Sequence, residues 1–350
     1  MAKIDRYLTV MLDAGGSALH LGAGRVPMYR LRNTLADFGE SELSPDSAQA
    51  LLREICPQED WNAFLGSHDL DFTYDLEDVA RFRCNCYTDR SGVGAVLHYI
   101  PTQAPTLDEL EAPQVLKDIC HLPGGLVLVC GQIGSGTTTT QAAMIRYINE
   151  NTARYIISIS DLVEFTHKPD RSVIEQSEAS AADTAEAITA ALSSQPDVLV
   201  LDNLPDARSI RLALRGAMMG ILVIASLPTS GFAKTIDRVI DAFPAEDQGE
   251  ARTLLAESVQ AILPQISCRG IDGGRVVCRE ILLRAEGVPA AIRDGNIATL
   301  RSIMDSYRSH GMRTMDFSLR ELLAAGKITA DEAYARATDK KQFQHFLAGY

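Results

Sequence analysis

The sequence predicts an α/β protein in which a parallel-rich sheet covered by helices follows a smaller α+β domain. Beyond Pro123, short and wholly apolar runs alternate with helical stretches, which is typical of parallel strands buried on both faces. Before Pro101, the strand-like segments instead alternate apolar and polar residues, as in a sheet with one solvated face. A proline-rich stretch at 101–113 separates the two patterns and is typical of a domain connector.

The N-terminal segment predicts a helix, two short strands, a second helix and a strand meander. The two strands, at 17–24 and 26–32, lie on either side of a Gly/Pro turn. The second helix lies within 44–56, where Ser44 or Asp46 can cap its first turn. The alternation of apolar and polar residues then predicts strands at 69–76 and 80–89, and the segment 92–100 after a glycine turn completes the meander.

The remainder of the chain predicts five buried strands and several helices. The strands are the runs "GLVLVCG" (125–131), "YIISIS" (155–160), "DVLVLD" (197–202), "GILVIAS" (220–226) and "RVVCREILL" (275–283). Helices are predicted at 234–243, at 249–263 and through much of 318–347. We therefore expect four regions: an N-terminal domain at 1–101, a linker at 102–122, a large α/β domain at 123–285 and a C-terminal helical appendage at 286–350.

Composition excludes several classes of protein. The formal net charge is −13, with acidic residues spread along the chain, which disfavours a broad basic patch and a nucleic-acid role. The seven cysteines form no C-x-x-C pair, a pattern of reduced thiols rather than of a disulfide framework or a zinc site. No segment approaches the ~18 consecutive apolar residues of a spanning helix. The sequence thus predicts a cytoplasmic protein.

The stretch "GQIGSGTTTT" (131–140) follows a predicted buried strand and begins a predicted helix. Gly131 and Gly136 are spaced as in the phosphate-binding pattern G-x-x-x-x-G-K-[ST]. In such a loop, backbone N–H groups and the helix N-terminus hold phosphate without any charged side chain. The amides of Gly134, Ser135, Gly136 and the next two residues are therefore candidate donors. The alternative is a tight strand-to-helix turn without a ligand.

The loop lacks the side chain that normally supplies its charge. Thr137 stands where lysine is expected, and a charged hydrogen bond is worth roughly 1.5–3 kcal/mol. Thr138 occupies the Ser/Thr position whose hydroxyl ligates Mg²⁺, and Asp202 ends an apolar run as the metal-side aspartate does. The alternative for Asp202 is an aspartate that caps the following turn.

Over nearly its whole length the sequence resembles the PilT-type retraction ATPases of type IV pili, within the secretion-ATPase superfamily. The resemblance is carried by "ARFRCN" (80–85), "LPGGLVLVCGQIGSGTTTT" (122–140), "ISDLVEFTH" (159–167), "QPDVLVLDNLPDARSIRLAL" (195–214) and "AKTIDRVIDAFPAE" (233–246). It implies a RecA-like P-loop domain preceded by a PAS-like domain, and a ring of six subunits with ATP at the interfaces. In that family, basic residues of the N-terminal domain reach a neighbour's nucleotide, which makes Arg83 and Arg90 candidates.

The departures from the family pattern lie where the family does its chemistry. Besides Thr137 at the lysine position, Ser160 replaces the acid that prepares the attacking water, whereas Asp161 and Glu164 keep two other acids of that segment. Methionines in place of polar groups are expected to make a drier wall for the same pocket. The further replacements are Asn203 for a glutamate, Pro205 for an arginine, Met218–Ile221 for Glu-Thr-Gly-His, and Pro228 for a histidine.

The resemblance implies a PilT-like protein of pilus retraction and twitching motility, and the departures predict an inactive or strongly impaired paralogue that acts as a scaffold or regulatory subunit. The alternative is a weak or unorthodox ATPase that uses Asp161, Glu164 and Asp202. ATP or ADP and Mg²⁺ are expected to bind with weakened affinity. The candidate nucleotide-binding residues are Gly131, Gly134, Ser135, Gly136, Thr137, Thr138, Thr139, Arg83 and Arg90, and the candidate metal ligands are Thr138 and Asp202.

The expected partners follow from the same resemblance. They are further copies of the chain in a hexameric ring, or an active PilT-like ATPase in a mixed assembly. Components of the pilus platform at the inner membrane are also expected, so that the protein would lie in the cytoplasm and associate with the membrane only through partners.

Overall fold

The structure is a computed structural model that describes residues 2–31, 34–39, 41–76, 79–100 and 103–347. The chain divides into two compact units. The first comprises Met1–Gln103 with Glu164–Thr166, and the second comprises Ala104–Val163 with His167–Tyr350.

The first unit is an antiparallel sheet packed against helices. Its strands are β1 (Ala18–Gly22), β2 (Met28–Leu31), β3 (Thr34–Asp37), β4 (Asp69–Leu76), β5 (Ala80–Asp89) and β6 (Gly92–Ile100), in the order β3-β2-β1-β6-β5-β4. Its helices are α1 (Asp5–Asp13), α2 (Pro45–Ile55) and α3 (Gln58–Ser67). Every pairing in this sheet is antiparallel. The predicted meander is confirmed, and Ser44 caps α2 by accepting a hydrogen bond from Ser47 N.

The second unit is a mixed sheet with helices on both faces. Its strands are β7 (Gly125–Cys130), β8 (Tyr155–Ser160), β9 (Val173–Glu178), β10 (Val198–Leu201), β11 (Leu222–Leu227), β12 (Val259–Arg269), β13 (Arg275–Arg279) and β14 (Leu282–Leu283). They are ordered β13-β12-β7-β11-β10-β8-β9, with β14 beside β12. Pairs from β12 to β9 are parallel, whereas β13 and β14 run antiparallel to β12.

The helices of this unit occupy the connections between strands and the C-terminal part of the chain. They are α4 (Gln114–Cys120), α5 (Thr137–Asn151), α6 (Thr184–Ser193), α7 (Ala207–Met218), α8 (Phe232–Asp241), α9 (Gln248–Ser258), α10 (Val288–Arg293), α11 (Ala298–Ser306), α12 (Met315–Ala324), α13 (Ala330–Arg336) and α14 (Gln344–Leu347). Strands β7, β10 and β11 are buried along their whole length, which explains why their sequences are continuously apolar. None of the helices within the described ranges is long and apolar enough to cross a membrane.

Two predictions for this unit were wrong. The helix predicted at 249–263 ends at Ser258, and Val259–Arg269 forms strand β12 between β7 and β13. The local sequence suits either state, but pairing with β7 buries the segment as a strand, and Pro264 is incompatible with continued helix. The run 275–283 is not one buried parallel strand but the antiparallel β13 followed by the short β14.

The C-terminal helices are attached to the sheet through a buried carboxylate. Glu280, directly after β13, accepts hydrogen bonds from Phe232 N at the start of α8 (2.9 Å) and from Met315 N at the start of α12 (3.3 Å). Burial raises the pKa of this carboxyl group, because desolvation disfavours its charged form. The two backbone donors offset part of that cost.

Candidate nucleotide site

The glycine loop forms the predicted strand–loop–helix unit. It follows β7, and Gly131 N donates to Leu227 O at the end of β11 (3.1 Å). Within the loop, Ser135 N donates to Gln132 O (2.9 Å). Gly134 and Gly136 adopt φ values of +82° and +87°, which glycine reaches without a steric penalty. The backbone thus turns sharply from the sheet into α5.

The start of α5 provides N–H groups that need a partner from outside the helix. Helix geometry leaves the first-turn amides of Thr137, Thr138 and Thr139 without an intrahelical acceptor, and no side chain caps this end. The aligned peptide dipoles place roughly half a positive charge here. Because residues 132–140 carry no formal charge, attraction for phosphate in this loop comes from the backbone.

Ser135 contributes less to a phosphate site than the sequence predicts. Its amide is engaged in the loop's own turn, and its hydroxyl is buried without a hydrogen-bond partner among the described residues. A Cβ placed on Gly131 would lie 2.1 Å from Ser135 Oγ. The hydroxyl therefore packs beneath the loop, against the space that only a glycine at position 131 leaves.

The two candidate metal ligands lie side by side. Thr138 Oγ1 donates to Asp202 Oδ1 at 3.4 Å, and both side chains are partly buried. Asp202 directly follows β10, at the same sheet edge as the loop. A hydroxyl and a carboxylate fit Mg²⁺, which keeps several waters and takes substrate phosphate oxygens as further ligands. No group of three His, Cys, Asp or Glu side chains in the described part of the chain forms a self-sufficient metal site.

The residues after Asp202 form hydrogen bonds to nearby backbone groups and cap the start of α7. Asn203 Oδ1 accepts from the adjacent Leu204 N (2.8 Å). Asp206 accepts from Ser209 N (2.7 Å) in a capping box at the start of α7. That backbone hydrogen bond lowers the pKa of Asp206. These side chains are thus occupied by local backbone groups.

The remaining acidic and basic candidates belong to both units. In the second unit, the parallel pairing of β8 with β10 places Asp161 at the same sheet edge as Asp202. Asp161 is exposed after β8. Glu164 belongs to the first unit, where its Oε1 lies 3.1 Å from Arg83 Nη1; the other terminal nitrogen of Arg83 lies 3.0 Å from Asp71. Arg90 is exposed in the turn between β5 and β6. Arg83 is therefore already paired with two carboxylates.

The prediction that methionines form a drier wall of the nucleotide pocket was wrong. Met218 and Met219 end α7 and precede β11, whose first residue pairs with Gly125 at the start of β7. The glycine loop leaves the other end of β7, so the methionines lie at the opposite edge of the sheet. Met219 is 68% exposed. Pro228, in contrast, follows Leu227 and lies at the loop's edge of the sheet.

Two buried glutamines form hydrogen bonds at the loop or at the strand end beside it, and the sequence did not predict either contact. Gln141, on α5, donates to Leu201 O (3.0 Å), directly before Asp202. Gln265, on β12, donates to Ser135 O in the loop (2.9 Å). A polar residue inside an apolar run is only a weak indication of such contacts. Gln265 was not predicted to lie near the loop because its strand, β12, was not predicted from the sequence.

His167, after the acidic segment, gives a testable pH dependence. Burial, and secondarily the nearby Arg146, lower its pKa from 6.5 to about 4. The unfolded chain therefore binds the proton more tightly, and the stability linked to His167 is complete above pH 6.5 and lost as pH falls towards 4. At 1.4 kcal/mol per pKa unit, the expected loss between pH 7 and 5 is about 2 kcal/mol.

Denaturant unfolding of wild type and His167→Gln at both pH values checks this expectation. The substitution should remove that part of the pH dependence. The exposed His310→Gln is the matched control and should behave as wild type. An unchanged pH dependence in His167→Gln would contradict the assignment.

These features together define an α/β protein of the P-loop class, with a glycine loop at the edge of a parallel-rich sheet. The family model described as "Type II/IV secretion system protein" matches residues 103–274. The chain belongs to the PilT family of type IV pilus retraction ATPases.

Individual relatives match over almost the full length of the chain. The retraction ATPase PilT of Pseudomonas aeruginosa is 36% identical over 97% of this chain and 99% of its own. The type IV pilus ATPase PilU of the same organism is 30% identical over 96% of this chain and 88% of its own. A crystal structure of the pilus retraction motor PilT with ADP superposes with a TM-score of 0.88 at 31% identity, covering 98% of this chain and 99% of that chain.

Proposed function

We propose that this protein is a PilT-like subunit of type IV pilus retraction and twitching motility that holds nucleotide weakly and hydrolyses it slowly or not at all. In this proposal it acts as a scaffold or regulatory subunit. The observation that carries the proposal is the loop itself: it joins a buried strand to a helix whose first turn has no side-chain cap, while Thr137 at the start of that helix offers no cation. The backbone amides of the loop would then hold the nucleotide, with a lower affinity than in a loop that carries the lysine.

The replaced residues support slow or absent hydrolysis. Asn203 cannot accept a proton, and its Oδ1 already accepts from the backbone. Ser160 and Pro228 likewise offer neither a carboxylate nor an imidazole. A positioned general base typically contributes 10²–10⁴ in rate. Because such groups act as a unit, losing one removes much of the effect of the others, and the separate losses do not add.

A second candidate is a weak ATPase, favoured by the contact between Thr138 and Asp202. These groups can ligate Mg²⁺ with the phosphates of ATP. The metal would neutralise charge that develops on the transferred phosphoryl group. Asp161 and Glu164 would then be the remaining acids for activating water, and Glu164 would first have to leave its ion pair with Arg83.

The assembly is part of the proposal. The relatives PilT and PilU are named as pilus ATPases, and we infer that this chain joins a hexameric ring, of its own copies or with an active PilT-like ATPase. In a ring, we propose that Arg83 and Arg90 of the N-terminal domain serve a neighbour's nucleotide, for which Arg83 would have to give up its ion pairs with carboxylates. Contact with the pilus platform at the inner membrane would follow from that assembly.

The test measures binding and turnover on the same preparation. With Mg²⁺ present, we expect labelled ATP and ADP to bind and phosphate release to stay at least about 100-fold below that of a PilT assayed in parallel, given the rate a general base supplies. Phosphate release that depends on Mg²⁺ and is lost in Asp202→Ala would favour the second candidate, and turnover near that of PilT would contradict the scaffold or regulatory role. Absence of binding at millimolar nucleotide would remove the nucleotide-holding part of the proposal.

A further inference from the structure

Gln265 lies directly beneath the glycine loop and contacts it at two points. Its side chain is 1% exposed on β12. Nε2 donates to Ser135 O at 2.9 Å, and Oε1 accepts from Thr140 Oγ1 at 3.0 Å. A single amide therefore joins the loop to the first turn of α5.

The orientation of this amide is determined by its partners. A carbonyl oxygen only accepts hydrogen bonds, so the nitrogen of Gln265 must face Ser135 O. The hydroxyl of Thr140 then donates to the remaining oxygen. Because all three groups are buried, loss of either contact would leave a polar group without a partner, at a cost larger than the net gain from forming one.

The contact with Ser135 O also orients the next amide. The carbonyl of Ser135 and the N–H of Gly136 belong to one planar trans peptide, so they point in opposite directions. With the carbonyl held towards Gln265, the N–H points away from the buried strand. Gly136 has φ +87°, and glycine tolerates several peptide orientations at little cost. The loop backbone alone therefore does not select this orientation.

We propose that Gln265 is a positioning residue of the nucleotide site, which fixes the peptide between Ser135 and Gly136 and thereby aims Gly136 N–H at a bound phosphate. The identity of that ligand rests on the proposed function. The orientation of the peptide does not, because it rests on the hydrogen bond from Gln265 to Ser135 O. Gln265 acts through Gly136 and contacts no ligand itself.

Three variants separate the two contacts of Gln265. At a pH high enough to ionise a buried carboxyl group, Gln265→Glu keeps an acceptor for Thr140 but replaces the donor with a carboxylate, which draws the Gly136 N–H inwards. Gln265→Leu removes both contacts at similar volume. Thr140→Val removes only the contact to Oε1. Gln260→Leu, on the same strand and away from the loop, is the matched control.

The first readout is the exchange of the Gly136 amide in nucleotide-free, ¹⁵N-glycine-labelled protein. Gln265→Glu should slow this exchange, because the N–H gains a buried acceptor, whereas Gln265→Leu, which offers no acceptor, should leave the exchange close to the wild-type rate. A role in packing alone would change exchange in the same direction in both. Unchanged Gly136 exchange in both variants overturns the proposal. If Gln265→Glu does not fold, the ADP affinities of Gln265→Leu and Thr140→Val decide: a larger loss in Gln265→Leu supports the proposal, and equal losses overturn it.

The second readout is affinity for labelled ADP. Both Gln265 variants should bind about tenfold more weakly, since a correctly aimed donor to a charged group is lost. Thr140→Val should lose less, and Gln260→Leu nothing. Wild-type affinity in both Gln265 variants overturns the proposal. If wild type binds no ADP, the proposed function fails, while Gly136 exchange still decides whether Gln265 orients the peptide.

Discussion

Replacing Gly131 with alanine is expected to abolish detectable nucleotide binding and to destabilise the second unit by about 3 kcal/mol, at the upper end of typical overpacking costs. A Cβ at this position would lie 2.1 Å from Ser135 Oγ and 2.8 Å from Gln265 O. The oxygen of Gln265 belongs to the backbone of β12 and cannot move aside. The loop must therefore lift away from the sheet and lose the arrangement of its amides.

Denaturant unfolding and titration with labelled ADP measure the two effects. Gly249→Ala is the matched control, because Gly249 lies in α9 with nothing within 4 Å of the added Cβ; it should be neutral or slightly stabilising. Adding Ser135→Gly to Gly131→Ala removes the closer clash and should restore part of the stability. Unaltered ADP affinity in Gly131→Ala would contradict this account of the loop.

Replacing Thr137 with lysine is expected to raise the affinity for ATP by about 10- to 100-fold, since a charged hydrogen bond contributes 1.5–3 kcal/mol. Thr137 is the first residue of α5, so a long side chain there starts beside the loop amides. Hydrolysis should nevertheless remain slow, because Asn203, Ser160 and Pro228 are unchanged.

Equilibrium titration with ATP and phosphate release on the same samples measure both parts. Thr139→Lys, two residues further along the helix, adds the same charge in a different direction and is the control for general electrostatic attraction. An equal gain in both variants would show that position does not matter. Turnover at the rate of an active PilT in Thr137→Lys would contradict the proposed loss of catalysis.

The sequence was sufficient where a local pattern determines the structure. Strand β5 alternates apolar and polar residues because one of its faces is buried, and Ser44 caps α2 through the adjacent backbone. The glycine loop could be predicted equally well, since it depends on backbone conformations that only glycine adopts readily. Each of these features is determined within about ten residues of chain.

Tertiary pairing determined what the sequence did not reveal. The segment "VQAIL" suits a helix or a strand, and only its place beside β7 makes it β12. Gln265 contacts Thr140 across 125 residues of chain and Ser135 across 130, so no local spacing marks it. Met218 and Met219 align with family positions, but alignment does not say at which edge of the sheet they lie.

Glu280 connects the C-terminal helices to the segment beside the glycine loop, because it accepts hydrogen bonds from the starts of both α8 and α12. The segment between β11 and α8 contains Pro228, and Leu227 before it accepts the hydrogen bond of Gly131 N. If that segment shifted and withdrew Phe232 N, a buried carboxylate would be left with Met315 N as its remaining backbone donor. Because that state is unfavourable, the starts of α8 and α12 should shift together. A shift of the segment beside the glycine loop is therefore expected to displace the C-terminal helices as well.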